Sequence, residues 1–330
     1  MSTAPDDLLL RFRRWVIGAI AIGALVYLVG SVWAGFAQVQ AALMRFSWGW
    51  ALPVVLLTLV NYGLRFVKWH YLLLRLGVKM DVRENLTNFI AGLAMVISPG
   101  KAGELLKPYV VRARTGAPMA QTIPALVVER LTDGIAMLIL AGISVTTYAA
   151  DKVAWIAVPA ALIAFGYAAL AIQPLGQALI AIAGRLPGLR KVAPKLSEMY
   201  GAMRICAAPA PLLITLLLSV VAWFAECVGF MLVFRGMEVD APLDVCVFLY
   251  AFATVAGAAM PGGLGVSEGA LAGGAVTFLH IDEGSAVAAS LITRCATLWI
   301  GVAMGAFALF RVSALLGGPI ALKPEGQEPA

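Results

Sequence analysis

Six stretches of this chain, at about 15–36, 48–69, 119–149, 153–172, 209–234 and 285–312, are apolar for the roughly 20 residues that a helix needs to cross a bilayer. A backbone in hydrocarbon must satisfy its own N–H and C=O groups, so runs of this length read as helices and the fold class as all-α. Composition agrees: of 330 residues, 62% are apolar and 13% charged, more apolar surface than a soluble core of this size absorbs. A cytosolic enzyme, a disordered chain and a secreted disulfide scaffold are thereby excluded. Cys206, Cys227, Cys246 and Cys295 never approach CxxC spacing and read as small buried hydrophobes. Two histidines are too few for a metal centre, and no cofactor is expected. The first run follows Arg11, Arg13 and Arg14 and is too long for a signal-peptide core, so it reads as an anchor.

Two further apolar stretches, 84–115 and 243–280, are interrupted midway. The first breaks at Ser98-Pro99-Gly100-Lys101-Ala102-Gly103-Glu104, the second at Met260-Pro261-Gly262-Gly263-Leu264-Gly265-Val266-Ser267-Glu268. Each arm is too short to cross. Proline stops a helix and glycine permits a tight turn, so both stretches read as re-entrant helical hairpins. Such a break is tolerated at membrane depth only against protein or a wet cavity.

Six spans and two hairpins, with the N-terminus inside, sort the charge. The cytoplasmic side collects Arg11, Arg13, Arg14, Lys68, Arg75, Lys79, Arg83, Arg112, Arg114, Arg311 and Lys323, with Arg185, Arg190, Lys191, Lys195 and Arg204 of the 173–208 loop. The outside receives Arg45, Lys152 and Arg235 and a set of acids around Glu238 and Asp282. This is the positive-inside pattern, and it accounts for the net charge of +6 without nucleic acid. The 173–208 loop reads as interfacial helices on an anionic leaflet. Trp15, Trp48, Trp50 and Trp69 read as interface anchors.

The two hairpins resemble each other. Each Pro-Gly is followed by a glutamate, Glu104 or Glu268, and then by an arginine inside an apolar helix, Arg130 or Arg294. Each is preceded by a span with a charge inside apolar sequence, Arg65 or Glu226. The expected organisation is therefore a cytoplasmic N-terminus (1–14), a first span with an external interfacial segment (15–47), repeat 1 (48–149), a span with the basic loop (150–208), repeat 2 (209–312) and a cytoplasmic tail (313–330). On the topology above the repeats are inverted, with broken helices meeting near the midplane, as in many secondary transporters.

Ionisable groups at membrane depth cost about 2.5–3.5 kcal/mol each on insertion scales, so those present point to a site. Glu129, Arg130 and Asp133 share one side of a helix. Two readings are open for the acids: an ion-pair network that locks helices, or groups facing a cavity. Arg130 and Arg294, at matching places, are expected to bind anionic oxygens. Lys101, Glu104, Lys107 and Glu268 are expected near the tips, where helix N-termini add free N–H groups. Arg65 reads as snorkelling to its helix end. Glu226 needs an interhelical partner and, with Glu268, is a candidate for a proton relay. Pro99, Gly100, Gly103, Pro261, Gly262, Gly263 and Gly265 are expected to shape the tips. The G-x-S-x-G at Gly265–Gly269 lies between apolar helices, without the strand and acid–histidine pair of a hydrolase elbow. No P-loop is present, so direct use of ATP is not expected.

Pro99-Gly-Lys-Ala-Gly-Glu104, Glu129-Arg130-x-x-Asp133 and Pro261-Gly-Gly-Leu-Gly-Val-Ser-Glu268 together resemble the lysylphosphatidylglycerol synthase transmembrane, or flippase-like, family over about residues 10–315. The resemblance implies a membrane region like the one held to move aminoacylated phosphatidylglycerol between leaflets. With the chain ending shortly after its last span, a stand-alone member without the aminoacyltransferase domain is expected, and not an enzyme. The expected function is a lipid translocator of the bacterial inner membrane for an anionic or zwitterionic lipid, with membrane lipids and lipid-biosynthesis enzymes as partners. The rival expectations are a secondary transporter of a soluble anion and a scaffold for lipid, for example hopanoid, synthesis.

Overall fold

A computed structural model describes residues 18, 21–98, 103–148, 172–185 and 193–315, with short pieces between 157 and 168. Among the described residues every element is a helix. The expected span at 153–172 lies largely outside them, as do Pro99, Gly100 and Lys101 and the tail from 316.

The first helix, α1 (Ala21–Trp33), bends by 102° into α2 (Phe36–Arg45). Gly35 makes that corner at φ +81°. A 3₁₀ turn, Trp48–Trp50, leads into α3 (Ala51–Arg75), and α4 (Val82–Ala94) starts at Asp81, whose carboxylate accepts the N–H groups of Arg83 and Glu84. Next come α5 (Leu106–Thr115), which ends on left-handed Gly116, and α6 (Met119–Tyr148). The basic loop folds as α7 (Gln173–Arg185) and α8 (Ala193–Cys206). The second half holds α9 (Pro209–Gly236), α10 (Leu243–Ala256), α11 (Val266–Leu279), α12 (Glu283–Arg294) and α13 (Ile300–Leu315). A π-helical turn, Cys295–Trp299, joins the last two directly after Arg294.

Among the described residues three segments are long and apolar enough to cross a bilayer: Trp48–Arg75, Pro209–Gly236 and Glu283–Val312. The bent α1–α2 pair is a fourth if it counts as one span. Helix α6 runs 30 residues and carries Glu129, Arg130 and Asp133.

Both interrupted stretches break where the sequence places proline and glycine. After α4 a 3₁₀ turn, Met95–Ile97, ends at Ser98, whose hydroxyl accepts the Gly103 N–H at 2.8 Å. Gly103 is needed for space, since a β-carbon there would lie 2.8 Å from both Met95 Sδ and Ser98 Oγ. The second break needs glycine for its backbone: Gly262, Gly263 and Gly265 have φ of +60°, +72° and +84°.

The helices pack reciprocally. Helix α3 lies along α9, α4 lies along α13, and α10 lies along α6, so the first arm of each interrupted stretch rests on a helix of the other half. Gly305 lets α13 approach α4 until a β-carbon would run into the Ala94 backbone. The two breaks touch where Ile97 packs with Leu264, Leu298 and Val302.

Several side chains lie elsewhere than the sequence suggests. Trp69 is wholly buried and donates its indole N–H to Asn85, whereas Trp48 is 62% exposed. Lys68, assigned to a cytoplasmic end, and Arg65, assigned to the surface, are both buried. Cys206, Cys227 and Cys246 are buried, but Cys295 is exposed.

Candidate functional site

Arg65 and Lys68 are buried because α3 and α6 bring acids to them. Lys68 Nζ lies 2.5 Å from Asp133 Oδ1 and 2.7 Å from Ser219 Oγ of α9. Its neighbour in the cluster, Lys107 of α5, pairs with Glu129 at 2.6 Å and rests on the Trp69 ring, 4.5 Å from its centre. Arg130 donates from Nε to Glu104 at 2.8 Å and from Nη1 to Asp133 at 3.3 Å. A buried ion pair holds only when its remaining valences are also met, and removing one partner costs about 3–5 kcal/mol. Each of these three carboxylates has such a cation.

In the second half Arg294 donates from Nε to Glu268 at 2.7 Å and from a terminal nitrogen to the Gly262 carbonyl. The other oxygen of Glu268 accepts the Gly265 N–H at 2.7 Å. The acid thus closes the N-terminus of α11 on itself, and that backbone N–H is not left free as expected. Glu226 of α9 finds two hydroxyls, Thr58 at 3.5 Å and Tyr250 at 3.4 Å.

These groups surround a cavity of about 520 Å³. Helix α3 lines it with Asn61, Tyr62 and Arg65, and α6 with Arg130 and Asp133. From α9 come Trp223 and Glu226, and from the second half Tyr250, Gly262, Gly263 and Arg294. Glu104 also lines it. Of the residues singled out from sequence, Arg130, Arg294, Glu104, Asp133 and Glu226 therefore converge. Glu129 and Lys107 lie behind the wall as a support, joined through Glu129 Oε2, while Glu129 Oε1 has no hydrogen-bond partner among the described groups. The sequence reading missed Lys68, Tyr62, Tyr250 and Trp223. A charge at the end of an apolar run was the only signal for Lys68, and an aromatic residue in a membrane helix carries none.

Glu268 faces a second space, a groove of about 570 Å³ between α1, α11 and α12. Leu25, Val29 and Trp33 form one wall, about 60% exposed, and Gly269 and Gly273 leave the other open. The Arg294–Glu268 pair thus separates a polar cavity from an apolar groove. Among the described residues no three His, Cys, Asp or Glu side chains are placed to hold a metal ion.

Comparison with known proteins identifies a family. The chain is 24% identical over 319 residues to a UPF0104 membrane protein of Methanothermobacter thermautotrophicus, covering 91% of this chain and 93% of that one. Residues 16–305 match the family model described as the lysylphosphatidylglycerol synthase TM region, which spans the cavity, both interrupted stretches and every ion pair above. This chain is a member of the lysylphosphatidylglycerol synthase TM region family.

Proposed function

We propose that this membrane protein moves a polar-headed lipid between leaflets without covalent chemistry. The headgroup occupies the 520 Å³ cavity and the chains remain in hydrocarbon. The observation that carries the reading is the pairing of that cavity with an apolar groove across a single ion pair, Arg294–Glu268. An amphiphile needs both kinds of surface at once; a soluble anion needs only the first.

The same reading takes the two halves as an inverted repeat, with six spans and two re-entrant hairpins. Its support is the shared spacing of 26 residues between Glu104 and Arg130 and between Glu268 and Arg294, together with the reciprocal packing of α4 on α13 and α10 on α6. Alternating access then consists of rocking one half against the other at the Ile97–Leu298 contact. The proposed location is a bacterial inner membrane, with both termini cytoplasmic.

The test begins with mass spectrometry of lipids retained by the purified protein. Transport of the retained lipid is then measured in proteoliposomes. Accumulation in the opposite leaflet only when the protein is present is the expected result. Absence of transfer for every retained lipid, with saturable uptake of a soluble anion instead, would sink the lipid reading. Labelling of single cysteines at 238–242 from the cytoplasmic side would sink the inverted topology.

A further inference from the structure

Arg130 and Arg294, the two arginines that the sequence marks as anion ligands, are already engaged on two edges each. Arg65 is not. It is 7% exposed and lines the cavity, yet no described group accepts a hydrogen bond from its Nε. Its nearest carboxylates, Asp133 and Glu129, stand at 3.9 and 4.0 Å, beyond hydrogen-bond reach. One oxygen of each is held at hydrogen-bond distance by another cation, Lys68 or Lys107, while Glu129 Oε1, the oxygen nearest Arg65, has no hydrogen-bond partner among the described groups. Glu226, across the cavity on α9, is turned to the hydroxyls of Thr58 and Tyr250.

The face of the Arg65 guanidinium is covered. Its carbon lies 5.4 Å from the centre of the Trp223 ring, an attraction that fixes the plane, and the Nε donor is left with an ion pair longer than a hydrogen bond. The indole Nε1–H of Trp223 is buried too, and no described group accepts it. A buried donor without an acceptor is costly, and two of them, on neighbouring residues lining one cavity, ask for a ligand with acceptor oxygens.

We propose that Arg65 and Trp223 form an oxyanion subsite that holds a phosphate group. The planar donor edge of a guanidinium matches a pair of phosphate oxygens, and the indole adds a third donor. Under the lipid reading, on which the choice of source rests, the oxyanion is the phosphate diester of the headgroup. Free inorganic phosphate has the same chemistry.

Three probes separate these cases: dihexanoylphosphatidylglycerol, its phosphate-free counterpart dihexanoylglycerol, and inorganic phosphate. Each is titrated calorimetrically against the full chain in nanodiscs, and against the Trp223→Phe and Arg65→Lys variants. Phenylalanine keeps a smaller aromatic ring under Arg65 and removes the N–H, a milder change than any at Arg65, and the thermal unfolding of each variant is measured beside its binding. The expected result is tight binding of dihexanoylphosphatidylglycerol that weakens about tenfold in Trp223→Phe, the loss of one hydrogen bond to a charged group. Arg65→Lys should weaken it at least as much, and dihexanoylglycerol should bind weakly and equally to all three proteins. Inorganic phosphate binding alone, with the same sensitivity to Trp223→Phe, keeps the subsite and overturns the lipid source. Unchanged affinity in Trp223→Phe, equal affinity for the phosphate-bearing and phosphate-free lipids, or no binding of any probe overturns the subsite.

Discussion

Glu104–Arg130 and Glu268–Arg294 have the same sequence spacing and nearly the same length, 2.8 and 2.7 Å, yet they work in opposite surroundings. The first pair stands among further charges: Lys68 with Asp133, Lys107 with Glu129, and Arg65 beside both acids. The second stands among glycines and hydroxyls. Sliding the first half along until Glu104 falls on Glu268 and Arg130 on Arg294 puts Glu129 on Thr293, Asp133 on Thr297 and Lys107 on Leu271. The second half has thus given up its lysines and their acids together. In its place the Arg294–Glu268 ion pair binds the break itself, through the Gly262 carbonyl and the Gly265 N–H. One half is locked by side-chain charge, the other by charge on backbone, and in the first the Arg65 guanidinium lines the cavity.

The largest effect that tests this contrast is loss of a lysine. Lys68→Met should destabilise the protein by about 3–5 kcal/mol, read as a lower Tm and folding yield, because it takes the closest cation from buried Asp133. Thr293→Val at the position matching Glu129 removes only a bond to its own helix, at Ala289, and should cost about 1 kcal/mol or less. Sharper still is the pair Lys107→Leu with Glu129→Thr, which copies the second half into the first. Removing both partners should restore most of the stability that Lys107→Leu alone loses. If the double variant is no better than the single, the lysines do more than neutralise.

Next come the two arginines. Arg130→Ala and Arg294→Ala should each abolish lipid transfer in proteoliposomes. Arg294→Ala should also loosen the second break, seen as faster amide exchange at 262–265, with no matching change at 103–106 in Arg130→Ala. Full transfer by either folded variant would remove that arginine from the site.

Glycines give a smaller effect. Gly263→Ala should cost about 1–3 kcal/mol, from positive φ and collision with Ser267 Oγ. Gly103→Ala should cost a similar amount through crowding alone. Gly30 and Gly269, where a β-carbon meets little or nothing, should accept alanine without measurable loss of Tm. Gly23 is not such a control, because Trp299 occupies the space beside it.

The smallest effect lies at the helix starts. Asp282 caps α12, and its hydrogen bonds from Ser285 hold the carboxyl below its ordinary value. A depressed folded value adds stability above the unfolded value of about 3.9 and loses it as pH falls through the folded one. Asp282→Ala should therefore cost about 1 kcal/mol at pH 7 and flatten this part of the acid limb of thermal unfolding. An unchanged acid limb would show that the cap does not titrate with folding.

The spans at α3, α9 and α12–α13, the second break and the four residues of the Arg–Glu pairs were legible because each rests on local chemistry. Apolar length marks α3 and α9, Pro-Gly marks the second break, and an ionisable residue inside an apolar run marks Arg130, Arg294, Glu104 and Glu268. Lys68 and Trp69 were misread because the end of the apolar run, about two turns before the end of α3, looks like a membrane boundary until α5, α6 and α9 close over it. Arg65 was misread for the same reason. By itself the sequence determined that this chain is helical, is embedded in a membrane and is broken twice by glycine beside paired charges, since hydrocarbon length and backbone hydrogen bonding leave little choice. Only the tertiary structure decided which charge neutralises which, because Lys68 takes Asp133 and Lys107 takes Glu129 across helices far apart in the chain, and that sharing leaves Arg65 facing the cavity.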